Sequence, residues 1–348
     1  MVKSVSANLD LLRAMAVLLV LTQHLCRRFN VDQVAWVPTS SLGSFGVLLF
    51  FVHTSLVLMY SLERSHLKGW PLMKNFHIRR IFRIYPLSLI AVLAALILHL
   101  DSDINGFRGL SHGPLPGKLT IFSNFLLIQN LTYAKSIVNV LWSLPFELQM
   151  YVLLPFLFIW VQRKPMFRSL IGLWIACVIA GALQPHLPGF GRLSILRFIP
   201  NFLPGVLAFA LASAPWIKSF LWPLFLLAMV TAFTFLPTAP MGWTLCLILG
   251  LLIPSFEEIS TPWLCTIANR IATYSYGIYI SHQFCIWFVS DSLGTHSLWL
   301  RVPVLIGSLI LIPIVLYYGI EKPMIAVGMQ IARRESEPTV RVAAAAAS

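Results

Sequence analysis

Charge is what this sequence has least of. Asp, Glu, Lys and Arg make up 11% of its 348 residues, against 58% hydrophobic ones. A water-soluble domain of this length carries about 25% charged residues on its surface, so water is excluded as the main solvent. Cysteine is also scarce. The five present (Cys26, Cys177, Cys246, Cys265 and Cys285) form no C-x-x-C pair and lie mostly within apolar runs. They read as packing residues, which leaves no disulfide framework. The spacing of a His/Glu zinc motif is missing too, and no metal is expected. Strict polar/apolar alternation is lacking, which argues against a membrane barrel. There is no internal repeat of the kind many secondary transporters carry, and no polar stretch long enough for a soluble domain. The first apolar run is interrupted at its start by Asp10 and Arg13 and is followed by no clear A-x-A site. It is expected to stay as a helix rather than be cleaved as a signal peptide.

Apolar runs of roughly 17–20 residues are plentiful, and this is the length that spans a bilayer as a helix. The fold expected is therefore an all-α polytopic membrane protein, a bundle of about ten transmembrane helices. The runs lie near 9–26, 43–62, 84–100, 145–162, 169–185, 198–213, 219–236, 241–255, 271–290 and 301–320. Segment 119–132 is too short to cross and follows a polar stretch with Gly and Pro, so it reads as re-entrant or interfacial. With this count, Lys and Arg favour one side of the bundle by roughly two to one, and the positive-inside rule makes that side cytoplasmic with both termini on it. The formal net charge of +13 is then a topology signal rather than a nucleic-acid footprint. Residues 1–323 are read as one transmembrane domain and 324–348 as a frayed cytoplasmic tail.

Ionisable groups inside a bilayer cost about 2.5–3.5 kcal/mol each on insertion scales, so those within the runs need explaining. Arg13 and His24 are separated by about three helical turns and share one face, roughly 16 Å apart. Asp10 is placed to pair with Arg13. Arg79, Arg80 and Arg83 have i, i+3 and i, i+4 spacing and are expected to converge at a helix start, where guanidinium forks suit phosphate oxygens. In LWSLPFELQMY, Pro145 fits an early helix position with Ser143 as a cap, and Glu147 opens the fourth span with Tyr151 one turn on. His282 in the ninth span shares a similar face with Ser275, and His53 lies in the middle of the second span. Each feature has a plain structural account as well. A snorkelling arginine, a lipid-binding basic cluster, a first-turn acid facing the helix dipole and packed histidines would look the same one at a time.

Together, in order, these segments resemble acyltransferase family 3, the integral-membrane acyltransferases that modify glycans and other acceptors. The family's L-D-x-L-R-x(10)-H pattern is matched by Leu9, Asp10, Leu12, Arg13 and His24. G-x-x-x-F-F-V is matched by Gly46, Phe50, Phe51 and Val52, and R-R-x-x-R-I-x-P by Arg79, Arg80, Arg83, Ile84 and Pro86. W-S-L-x-x-E-x-x-x-Y is matched by Trp142, Ser143, Leu144, Glu147 and Tyr151. S-Y-x-I-Y-x-x-H is matched by Ser275, Tyr276, Ile278, Tyr279 and His282. One departure stands out: His53-Thr54-Ser55 occupies the place where many members have Leu-Ser-Gly. The hydrolase-like domain appended in some members is not expected here.

The resemblance implies transfer of an acyl group, usually acetyl, from acyl-CoA to a hydroxyl on a glycan or other envelope or exported acceptor. It also implies a bacterial inner membrane. On that reading Arg79, Arg80 and Arg83 hold CoA phosphates, and Arg13 extends the positive path inward. His24 is the base or acyl carrier, and Glu147 orients it or binds acceptor. His53, Trp142, Ser143, Tyr151 and His282 are expected to line the site. A transporter or flippase for a lipid-linked or small amphipathic substrate is the rival reading. It would also use buried Arg, His and Glu, but it has no need of clustered phosphate-binding arginines.

Overall fold

The computed structural model describes residues 6–34, 36–103, 106–110, 114–163, 166–211 and 214–345, the side chains of 108, 190 and 336–345 aside. It is a helical bundle whose first helix, α1 (Ala7–Arg28), starts at a Ser6 cap whose hydroxyl accepts from the Leu9 amide. A short hairpin, β1 (Gln33–Val34) and β2 (Val37–Pro38), leads to α2 (Leu42–Glu63) and α3 (Gly69–Ile97). A second antiparallel hairpin follows, β3 (Leu100–Asp103) with β4 (Gly106–Leu110). Next come two short helices, α4 (Lys118–Phe125) and α5 (Gln129–Thr132), and a 3-10 turn, Asn139–Ser143. The chain continues through α6 (Leu144–Gln162), α7 (Phe167–Leu183), α8 (Ile199–Leu211), α9 (Leu221–Phe235) and α10 (Ala239–Leu252). It closes with α11 (Pro262–Trp287), α12 (Leu298–Leu316) and α13 (Lys322–Ala345).

Each apolar run of the sequence is one of these long helices. Among the described residues, 7 helices are long and apolar enough to cross a membrane, and two shorter apolar ones, Leu221–Phe235 and Ala239–Ser255, accompany them. α11 is long enough, but Asn269, Arg270, Ser275, Ser281, His282 and Gln283 dilute its apolar character.

The helices pack where small residues let backbones meet, as expected in a bilayer without a hydrophobic force between helices. At Gly46 on α2 an added Cβ would stand 2.5 Å from the Ala16 carbonyl of α1. At Gly205 on α8 it would meet the Val52 carbonyl at 2.3 Å, and Ser55 of α2 donates to the Phe202 carbonyl at 2.6 Å beside it.

Polar ties define two ends. At the proximal end, Ser6 and the Asn8 amide donate to Glu258 at 2.8 and 3.1 Å, the Ile259 amide donates to Asn8, and Lys218 pairs with Glu257. At the distal end, Arg28 pairs with Asp291, and Arg27 donates to the Ser40 carbonyl at 3.0 Å. Ser6, Asn8, Lys218 and the 257–259 segment thus share one end of the bundle.

Several boundaries differ from the sequence reading. α3 begins at Gly69, fifteen residues before the run at 84, because nothing between Pro71 and Arg83 breaks a helix and Leu72 and Phe76 bury against the bundle. The arginines therefore lie within a helix rather than at its start. Segment 119–132 does not cross: α4 and α5 form a hook around Leu127, whose φ is 54°. The Asn124 side chain closes the hook, accepting from the Ile137 amide and donating to the Lys135 carbonyl, both at 2.9 Å. The following turn, with Val138 and Leu141 at 0% exposure, sinks into the bundle, so α6 starts deep inside it. Beyond residue 323 the chain is helical rather than frayed as far as it is described. α13 continues α12 through a π-helical segment, Tyr317–Glu321, and packs on α3. Residues 346–348 lie outside the described part.

Candidate active site

Two cavities occupy the middle of the bundle. The first has a volume of about 250 Å³ and gathers Arg13 from α1, Arg80 and Arg83 from α3, and Arg64 just after α2. Glu147 and Tyr151 of α6, His53, Thr54 and Ser61 of α2, Ser143 before α6, and Ser275, Tyr276 and Tyr279 of α11 complete its polar lining. The second has a volume of about 370 Å³ and is lined by Gln23, His24 and Arg27 of α1, Ser44 of α2, Asn139 and Trp142 of the 3-10 turn, and Tyr279. Val47 and Tyr279 line both, so they form the wall between them.

The arginine cavity is charged well beyond its internal compensation. Arg13 donates from Nε to Ser275 Oγ at 2.6 Å, and Ser275 donates onward to the Ala272 carbonyl. Asp10, the expected partner of Arg13, accepts instead from Asn269 at 2.8 Å. Arg80 lies over the Phe76 ring at 5.9 Å, with its Nε buried and unpartnered. Arg79 does not line the cavity; its Nε and Nη2 are also buried without partners. Arg83 faces Glu321 at 3.9 Å, and the other carboxylate oxygen of Glu321 has no partner. Unpartnered guanidinium N–H groups are expensive when buried, and their natural complement is an anion with several oxygens.

Glu147 belongs to this arginine cavity and does not line the one that holds His24. The sequence places it at the far end of the fourth span because the span was taken to begin at a membrane surface. The turn that enters the bundle brings it to mid-depth instead, where it accepts from Tyr151 at 3.0 Å. Ser143 caps no helix end; its hydroxyl pairs with the Tyr279 hydroxyl at 2.8 Å. Tyr279 gives its own proton to the Val140 carbonyl, so Ser143 is the donor in that pair.

On the other side of the wall, His24 is buried and packs against His282 with ring centroids 5.1 Å apart. His282 hydrogen-bonds the Ile278 carbonyl through Nδ1 at 2.9 Å, which fixes its proton there. Gln283 Nε2 stands 3.5 Å from His24 Nδ1.

Of the residues singled out in the sequence, the arginine cavity collects Arg13, Arg80, Arg83, Glu147, Tyr151, Ser143 and His53. The second collects His24 and Trp142, with His282 behind. Arg64, Glu321, Tyr279 and Gln283 went unassigned. Glu321 carried a usable signal, an acid at the end of an apolar run. The π-helical segment turns it inward, to 3% exposure. Arg64 is a loop residue brought to the cavity mouth only by the fold. Among the described residues, no group of three or more His, Cys, Asp or Glu could hold a metal ion.

A family model described as an acyltransferase domain matches residues 6–318, which takes in both cavities and every helix from α1 to α12. No curated protein and no solved structure matches the chain.

Proposed function

The chain belongs to acyltransferase family 3, and on that premise we propose that it moves an acetyl group from acetyl-CoA to a hydroxyl of a glycan or another envelope or exported acceptor. One observation carries the reading: a cavity of under-compensated arginines and a cavity holding a buried histidine share a single wall, Val47 and Tyr279. A donor that is an anion at one end and an activated acyl group at the other fits that arrangement.

In this reading the pyrophosphate and 3′-phosphate of CoA lie against Arg80, Arg83 and Arg64 at the mouth of the first cavity, with Arg79 beside them adding charge. Arg13 draws the pantetheine arm inward toward Tyr279. Glu147 offsets part of the arginines' mutual repulsion and keeps the Tyr151 hydroxyl in place rather than orienting His24. The acceptor hydroxyl enters the second cavity, among Trp142, Asn139 and His24. His24 takes the hydroxyl proton as the oxygen attacks the thioester carbonyl. The C–O bond forms, the C–S bond breaks, and the CoA thiolate leaves with its proton returned from the imidazolium. A covalent acyl-histidine is the alternative route through the same residue. His53 lines the first cavity and His282 packs behind His24, neither touching the reacting atoms. The excess of Lys and Arg toward the proximal end supports both termini being cytoplasmic, so that CoA would be drawn from the cytoplasm; a bacterial inner membrane is what the family resemblance implies.

The test is turnover of radiolabelled acetyl-CoA by the protein in nanodiscs, comparing parent with His24→Ala. Turnover in the parent that is lost in the variant, with CoA binding kept, supports the reading. Absence of CoA binding in the parent would replace it with transport of a lipid-linked or amphipathic solute.

A further inference from the structure

Gln283 follows His282 on α11, is 2% exposed, and has no role in the chemistry given above. Three observations converge on it. Its amide lies 3.5 Å from His24 Nδ1. Its Oε1 is buried with no hydrogen-bond partner. And the second hairpin lies beside it: a Cβ built at Gly106, at φ +109°, would stand in ordinary contact with the amide, 3.6 Å from its Cδ and Nε2. Phe107 of the same hairpin packs against Phe284 with ring centroids 4.7 Å apart and the planes tilted by 58°, which ties the strand to this part of α11.

An amide carries a donor and an acceptor on one planar group, and turning it by half a rotation exchanges them without changing its shape. As placed, nitrogen faces a ring nitrogen while the oxygen is stranded in a buried site. Turned over, Oε1 accepts a proton from His24 Nδ1–H and the stranded acceptor is satisfied. Which imidazole nitrogen carries the proton is set by the bond the other one makes. We propose that Gln283 is the positioning residue of His24, its carbonyl holding the proton on Nδ1 so that Nε2 is the basic nitrogen. The inference rests on the acyl-transfer reading for its purpose but not for its geometry. The hairpin then has a task as well, since Gly106 packs beside the amide.

Three substitutions at one position separate the possibilities. Gln283→Glu keeps the shape and the acceptor, Gln283→Met keeps the shape alone, and Gln283→Ala removes both. The primary measurement is the 15N spectrum of histidine-labelled protein in nanodiscs at alkaline pH, with His24 assigned from the His24→Ala spectrum. The parent and Gln283→Glu are expected to show His24 protonated on Nδ1, and Gln283→Met and Gln283→Ala to lose that preference. A parent protonated on Nε2, or a Met variant with the parental signature, overturns the proposal. In turnover of acetyl-CoA, Gln283→Met is expected to lower kcat about tenfold or more with KM unchanged, and Gln283→Glu to restore most of it. Equal loss in both also overturns it. A tautomer set by Gln283 in a protein that turns over no acetyl-CoA would leave this assignment standing and sink the acyl-transfer reading. Turnover that depends on His24 but is indifferent to Gln283→Met would do the reverse.

Discussion

The arginine cavity and the histidine cavity meet at Val47 and Tyr279, yet they are assembled from different chemistry. The first brings four guanidinium groups from three stretches of chain against one lining carboxylate, with buried N–H groups left over beside it. The second is mostly neutral and holds its histidine between another histidine and an amide. Unsatisfied donors raise the affinity for an anion but do nothing for proton transfer. A histidine with a fixed tautomer serves proton transfer and contributes little to anion affinity. On the proposed reading the bundle separates holding a substrate from reacting with it, with the two tasks on opposite sides of one tyrosine.

That separation can be broken experimentally, and the largest effect belongs to the histidine side. His24→Ala is expected to lower kcat on the order of 10²–10⁴-fold while leaving KM for acetyl-CoA near the parental value; steady-state kinetics in nanodiscs would read both. A change confined to KM would mean that the cavities do not divide the work this way. Next comes the arginine side. Each of Arg80→Gln and Arg83→Gln should weaken CoA binding about tenfold or more, since a hydrogen bond to a charged group contributes about 1.5–3 kcal/mol, and calorimetry with CoA would measure it. If His24→Ala matched that loss, the comparison would fail.

The wall itself should give a smaller effect of another kind. Tyr279→Ala removes the ring that both cavities share, so acyl-CoAs one or two methylenes longer than acetyl should gain about tenfold relative to acetyl-CoA. An unchanged chain-length profile in a competition assay would show that the wall does not limit the acyl group. The smallest change is expected at Glu321, the buried acid facing Arg83 at 3.9 Å. Glu321→Gln removes an anion that competes for that guanidinium and should tighten CoA binding a few-fold. Weaker binding in that variant would make Glu321 a support for Arg83 rather than a competitor.

Much of this was legible in the sequence, and the reasons for the rest are particular. Run length located the helices because a bilayer fixes how long a spanning helix must be. The facing of Arg13 and His24 was legible as well, since both lie on one helix with a fixed period. What helix periodicity does not encode is which other helix comes alongside. Glu147 was read as standing on the side of His24 because its span was taken to start at a surface; the sunken turn before α6 gives it to the arginines instead. The first half of α3 carries charge and so makes no apolar run; two of its charges, Arg80 and Arg83, line a cavity, and Lys74 pairs with Glu335. Arg64 and Gln283 belong to no local pattern, and their importance comes only from what lies across from them.

The contacts of α1 also bear on how the molecule is made. Arg13 finds Ser275 across 262 residues of chain, and His24 finds Gln283 across 259. At about 5–20 residues per second of synthesis, the first helix waits on the order of tens of seconds before those partners leave the ribosome. Throughout that interval it holds an arginine in a hydrophobic environment without the serine that later receives it. A chain that stops after α10 would have α1 packed on α2 but Arg13 and His24 without their partners on α11. The contact between α1 and α11 therefore closes only once α11 itself has been made, so one of the earliest helices is among the last to find its partners.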